Sequence, residues 1–252
     1  MYYLGSKEKY SKIINTLIAD NFNNLSEYCE PFAGGLNIIS SLEKVFDKYY
    51  INDLNADMYH LYIALRDDEK FIFRIEKAKA DYNLKTQEEQ SKMYYRVRNA
   101  FNKNRDPAYL FFLLHTTYQS QFRVNQKGEF NKSFGFRSKF VYDRDSLIKT
   151  KVILKKAIIT NLDYKKSIEN IDMTKSLFIF DPPYTDNSAY YSSVFNDIEN
   201  LILCAKNTNS ILFNFGIECD LNKIYLEDKF KFASERKKDK TKNRHFLYWN
   251  KL

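Results

Sequence analysis

At 252 residues, with 44% hydrophobic and 29% charged residues, the chain can bury one good core, or one core carrying an inserted module. It has no run of about 18 apolar residues, no basic-then-apolar leader at Met1-Tyr2-Tyr3, and no paired cysteines, so a membrane span, a secretory signal, a disulfide frame and a metal site are not expected, and the cytoplasm, of a bacterial or phage-infected cell, is the default compartment. The formal net charge of +8 favours a polyanionic partner bound through phosphates, and the 17% of aromatic residues is compatible with base stacking, although an AT-rich coding bias toward Lys, Asn, Ile and Tyr gives a similar composition.

Along the chain, Ser11 to Phe22 spaces Ile13, Ile14, Leu17 and Ile18 as one helical face. A short apolar stretch at Tyr28-Cys29 runs into Glu30-Pro31-Phe32-Ala33-Gly34-Gly35. Ile38 to Phe46 then reads as helix, and Tyr49-Tyr50-Ile51 as a buried strand ending at Asn52-Asp53. Strand, glycine turn, helix, strand, acid is the opening of a doubly wound α/β sheet. Asp53 follows Gly34 by about 20 residues, the spacing at which a carboxylate reaches a ribose held at the turn. Residues 56–138 change character, with polar helix-like stretches, an apolar run at Leu110–Leu114 and a loop-like segment from Gln119 to Phe136. They read as an inserted, mainly helical domain, leaving 1–55 and 139–252 for the sheet. Three apolar runs follow, Ala157–Thr160, Leu177–Phe180 and Ile211–Phe215, each of the kind seen in parallel strands covered on both faces. Arg236 to Arg244 is a basic polar run, either a phosphate strip or a solvated loop.

The sharpest chemical signal is Asp181-Pro182-Pro183-Tyr184, placed where an apolar strand ends. Ligands of open α/β sheets bind outside the carboxyl ends of strands. Paired prolines stiffen the backbone and leave carbonyl oxygens as acceptors without competing N–H donors. An amino group on an aromatic ring is a poor nucleophile, because its lone pair is delocalised. A carboxylate and a carbonyl that accept both of its protons favour a pyramidal nitrogen, and Tyr184 offers a face on which the ring can stack. The competing reading is an ordinary strand exit broken by Pro-Pro.

With the earlier segments, this motif resembles the Dam-like DNA adenine-N6 methyltransferases of the α type, across nearly the whole chain. Tyr3-Leu4-Gly5-Ser6-Lys7 looks like the amino-terminal motif that covers S-adenosylmethionine, and Pro31-Phe32-Ala33-Gly34-Gly35 like the cofactor loop. Asn52-Asp53 is similar to the ribose-binding pair, and Asn161-Leu162-Asp163-Tyr164 to the segment whose Asp bonds the cofactor's adenine. The resemblance implies a Rossmann-like class I methyltransferase sheet with S-adenosylmethionine held by Tyr3, Lys7, Phe32, Gly34, Gly35, Asp53, Asp163 and Tyr164. It also implies methyl transfer at Asp181, Pro182 and Tyr184. Arg123-Val124-Asn125-Gln126-Lys127-Gly128-Glu129-Phe130-Asn131 with Phe134-Gly135 is similar to the family's target-reading stretch.

Candidates for contact with double-stranded DNA are therefore Gln119, Gln121, Arg123, Asn125, Lys127, Lys132 and Arg137. Arg123 suits bidentate reading of guanine, which favours a short site with G and A such as GATC. Either Gln could fill the space of an extruded base, and the lysines and Arg137 suit phosphates. Leu36 departs from the family where many members carry a third glycine, so that corner is expected to close differently. Two rivals remain. An N4-cytosine methyltransferase could use the same site, although that family more often has Ser in place of Asp181. A catalytically silent DNA-binding module of the same fold would fail an assay for methyl transfer. The default oligomeric state is a monomer.

Overall fold

The computed structural model describes residues 7–183, 195–215, 219–226 and 245–252. Its sheet is built from β1 (Glu27–Glu30), β2 (Lys48–Asn52), β3 (Ala157–Thr160), β4 (Ser176–Phe180), β5 (Ser210–Phe215), β6 (Asn222–Leu226) and β7 (His245–Asn250), in the order β3-β2-β1-β4-β5-β7-β6. The first five strands run parallel, and β7 lies antiparallel between β5 and β6. All five strands read from the apolar runs form, and β6 and β7 complete the sheet, Asn222–Leu226 carrying no clear period in the sequence.

Two apolar clusters explain why the central strands are continuous hydrophobic runs. Leu177 and Ile179 of β4 enter one, and Phe178 and Phe180 the other. The strand is thus covered on both faces, as buried parallel strands require. The expectation fails for β3. It is the edge strand, and Ile158 on it is 47% exposed.

The helices follow their local signals. In α1 (Ser11–Asn21), Ile14, Leu17 and Ile18 are buried on one face. The helix read over Ile38 to Phe46 is much shorter, α2 (Asn37–Ser41). The Ser40 and Ser41 hydroxyls donate to the Asn37 and Ile38 carbonyls, and Leu42 turns extended. Side-chain competition for backbone acceptors ends the helix there.

The segment expected as an insertion contains α3 (Ala56–Asp67), α4 (Phe71–Asn83), α5 (Gln87–Asn104) and α6 (Pro107–Thr116). Asn55 caps α3, and Thr86 with Glu89 forms a complete capping box on α5. Helix α6 starts with Asp106 as cap and Pro107 in the first turn. It is buried on nearly every side and packs against α3, α4 and α5, forming the axis of the helical module. Helix α3 also packs on β3 and on α7 (Arg144–Leu154), so it joins this module to the sheet. Two short helices complete the sheet's second face, α8 (Tyr164–Ile168) and α9 (Ile198–Lys206).

Between α6 and α7, the chain makes a hairpin-like excursion closed by antiparallel bridges at Thr117–Phe134 and Val124–Phe130. No described helix is long and apolar enough to cross a membrane.

Candidate active site

Strands β1 and β4 are neighbours, with Cys29 beside Phe178, and the strand order reverses between them. The glycine turn after β1 and Asp181 after β4 are about 150 residues apart in sequence, yet both leave the same edge of the sheet at its switch point. A cavity of about 580 Å³ lies there. Its wall includes Lys7, Phe32, Gly34, Asp53, Asp181 and Pro182, with Gly35, Asp163 and Tyr164 farther round. The structure thus brings together seven of the expected cofactor positions and two of the three catalytic ones. Tyr3, Tyr184 and the basic run from Arg236 to Arg244 lie outside the described residues.

The turn is held by its own hydrogen bonds. Gly34 has φ +47° and donates its N–H to Asp53 Oδ2 at 2.8 Å. Asp53 Oδ1 accepts from the Asn55 N–H at 2.9 Å, and the Tyr62 hydroxyl lies 3.3 Å from Oδ2. Burial raises the Asp53 carboxyl above its ordinary range, and these donors oppose the rise. Leu36 adopts φ 56°, ψ 29°, so the corner keeps the left-handed backbone that a glycine would favour. The leucine side chain is only 1% exposed, and its burial offsets a strain of about 1–2 kcal/mol.

Asn52 knits three strand ends together. Its amide donates to Pro31 O at 3.0 Å and Leu162 O at 2.9 Å, while its Oδ1 accepts from the Thr160 hydroxyl and the Leu162 N–H. Asp163 caps α8 through the Lys165 N–H at 3.0 Å and also lines the cavity.

At the end of β4, Lys7 Nζ meets Asp181 Oδ2 at 2.6 Å, with side-chain exposures of 4% and 18%. The ammonium also lies 5.2 Å from the Phe213 ring centre. Burial lowers the Lys7 pKa, and the Asp181 charge works against that fall. Lys7, expected over the cofactor, therefore also orients the Asp181 carboxylate. Glu30 is the residue that sequence reasoning passed over. It is 2% exposed, and its carboxyl is raised to about 8, first by burial and further by the Asp181 and Asp53 charges. The Tyr28 hydroxyl donates to it at 2.8 Å and opposes the shift.

Other wall residues were equally invisible. Phe195 packs edge-on to Phe32 at 5.6 Å, and Tyr164 donates to Asp197 Oδ2 at 2.7 Å. Neither Phe195 nor Asp197 lies in a periodic segment or a motif. Arg105, left-handed at φ 54°, donates to Asp57 Oδ2 at 3.1 Å and to the Gly128 carbonyl. It ties the tip of the hairpin-like excursion to the cavity wall.

The expected DNA contacts divide by orientation. Gln119 and Arg123 are exposed. Arg123 Nε donates to Asn131 Oδ1 at 2.9 Å, which aims its remaining donors outward. Asn125 builds the tip, its Oδ1 accepting from the Lys127 and Glu129 N–H groups, both at 2.9 Å, and Lys127 is exposed there. Arg137 braces the Gln119–Ser120 loop through Ser120 Oγ at 2.8 Å. Gln121 and Lys132 turn inward and bond each other.

The cavity's chemistry suits a positively charged ligand, because the Asp53, Asp163, Asp181 and Asp197 side chains all line it. A Gly34 without Cβ lets a ligand approach the backbone, and Phe32 and Phe195 offer flat faces. Among the described residues, no group of three His, Cys, Asp or Glu side chains could hold a metal.

A seven-stranded sheet in this order, with a glycine turn and an Asp-Pro-Pro exit facing one cavity, is the frame of a class I methyltransferase. The chain belongs to the D12 class N6 adenine-specific DNA methyltransferase family, whose model matches residues 3–244. It is similar to the type II methyltransferase M.MjaIII of Methanocaldococcus jannaschii, at 30% identity over 71% of this chain and 68% of that protein. It is also similar to the DNA adenine methylase of Escherichia coli K12, at 30% identity over 64% of this chain and 56% of the relative. The match to the modification methylase StsI of Streptococcus sanguinis is 25% identical and covers 94% of this chain but 40% of that one.

Proposed function

We propose that the chain methylates N6 of adenine in a short site of duplex DNA, with S-adenosylmethionine as donor and the adenine turned out of the stack. The observation that carries the reading is the placement of Asp181 and Pro182 on the wall of the same cavity as the Gly34–Asp53 turn.

Asp53 and Asp163 would hold the donor's ribose and adenine, and Phe32 with Phe195 would pack on its ring. Bound there, the donor supplies an electrophilic methyl group. Asp181 accepts one N6 hydrogen, and the Pro182 carbonyl accepts the other. The nitrogen lone pair is thereby freed from the ring and aimed across the cavity. Lys7 pairs with Asp181 and orients it. Tyr184 gives the extruded base a stacking face, offsetting part of the few kcal/mol that unstacking costs. Orientation of the two reactants supplies much of the acceleration. Residues 56–138 form the target-reading part. Gln119 probes the duplex, Arg123 reads a base edge and Lys127 meets a phosphate.

The test is to methylate a random DNA library with the purified protein and map the modified bases. The expected product is N6-methyladenine within a short consensus. Methylated cytosine, or methylated adenine without a consensus, would overturn the reading. Asp181→Asn keeps the shape but loses the charge, and should cut turnover roughly 10²–10⁴-fold, the range for a positioned proton acceptor, with cofactor affinity preserved.

A further inference from the structure

We propose that Gln121 and Lys132 form a prebuilt receptor for one DNA phosphate, set beneath Tyr118 at the base of the hairpin-like excursion. The inference rests on the chain binding DNA, and it concerns two residues that the fold turns inward.

Gln121 is 1% exposed and Lys132 is 9% exposed. Lys132 Nζ donates to Gln121 Oε1 and sits 5.8 Å from the Tyr118 ring centre. No carboxylate of the described residues lies within ion-pair distance of this ammonium. Gln121 Nε2 is buried and has no hydrogen-bond partner among the described residues. The pair therefore holds an ammonium with three N–H groups and an amide with two, against a single acceptor, Gln121 Oε1. Buried donors without acceptors are costly, and a native site that carries them calls for a missing acceptor.

The surroundings specify the acceptor's charge. Burial lowers the Lys132 pKa, and the nearby Arg123 guanidinium lowers it further. A neutral acceptor would leave that repulsion in place, whereas an anion would relieve it. Next to the pair, Gln119 and Ser120 hold consecutive left-handed conformations at φ 58° and 54°, braced by the Arg137 bond to Ser120. The loop beside the receptor is thus fixed before any partner arrives. A phosphodiester oxygen satisfies both the charge and the surplus of donors. Occupying the receptor would set the register of the excursion on the duplex, and so the position of Arg123 over a base.

Two near-isosteric variants test this. Lys132→Met removes the charge. Gln121→Glu supplies an internal carboxylate that satisfies Lys132 within the protein. Affinity for duplex DNA is measured against salt concentration, with thermal denaturation and cofactor binding confirming that each variant is folded. A phosphate contact contributes about one unit to the slope of log K against log salt. Both variants should lose about one unit of slope and about tenfold in affinity at 0.1 M salt. An unchanged slope in both overturns the proposal. A changed sequence preference at constant slope overturns it too, and points to a base acceptor. If the wild-type protein fails to bind duplex DNA in a salt-dependent manner, the functional reading itself has failed, which the variants alone could not produce.

Discussion

Leu36, Asn125 and Glu30 show how far single residues carry the architecture. Leu36 occupies a left-handed corner because a fully buried apolar side chain outweighs the backbone strain. Asn125 makes its own tip through bonds to the Lys127 and Glu129 N–H groups, so its side chain serves the turn. Glu30 makes the clearest pH prediction. Its carboxyl is raised from 4.5 to about 8 in the folded state, so the fold binds its proton more tightly than the unfolded chain does. The resulting stability is fully present below pH 4.5 and is lost as pH rises to about 8. In cofactor-free protein, thermal denaturation should show Tm falling across that window, and Glu30→Gln should flatten the fall. Parallel Tm profiles for the two proteins would mean that Glu30 is ionised throughout.

Elements here are ended and joined by side chains as much as by backbone. Helix α2 stops after five residues because two consecutive serines bond back to its carbonyls. The excursion between α6 and α7 has little regular pairing, and its base depends on a close approach at Gly135. The Gly135 N–H donates to Thr116 O at 2.9 Å. A Cβ at Gly135 would lie 2.5 Å from Thr117 O and 2.6 Å from Thr117 C, both backbone atoms that cannot swing away. Gly135→Ala should therefore destabilise the protein by ~1–3 kcal/mol, the usual cost of overpacking. Chemical denaturation measures that loss. DNA affinity should fall with it, while the folded fraction keeps its cofactor affinity, because the clash lies in the excursion and not in the glycine turn.

At the scale of the whole molecule, the cavity joins three parts that are far apart in the chain. The glycine turn, the Asp-Pro-Pro exit and the tip of the excursion meet there, the last through Arg105. A ligand that fills the cavity binds only the folded state, so S-adenosylmethionine at about 100 times its Kd should stabilise the protein by ~2.7 kcal/mol. Thermal shift measured with increasing cofactor checks this. Asp53→Ala should reduce the shift, since it removes both the partner of the Gly34 N–H and the proposed ribose acceptor.

The five parallel strands, the glycine turn, Asp53 and the Asp-Pro-Pro exit were legible in the amino-acid order, because each is a local pattern with a local cause. Apolar runs mark strands buried on both faces, glycines mark the turn, and paired prolines mark a rigid exit. Strand β6, the early end of α2 and the edge position of β3 needed the fold, since pairing and coverage depend on neighbours. Glu30 and Phe195 joined the site only through the sheet's switch point and the packing of β4 and α9 beside it. The inward turn of Gln121 and Lys132 was likewise decided by tertiary structure. A lysine and a glutamine in a polar loop carry no periodicity, and only the geometry of the excursion places them face to face beneath Tyr118.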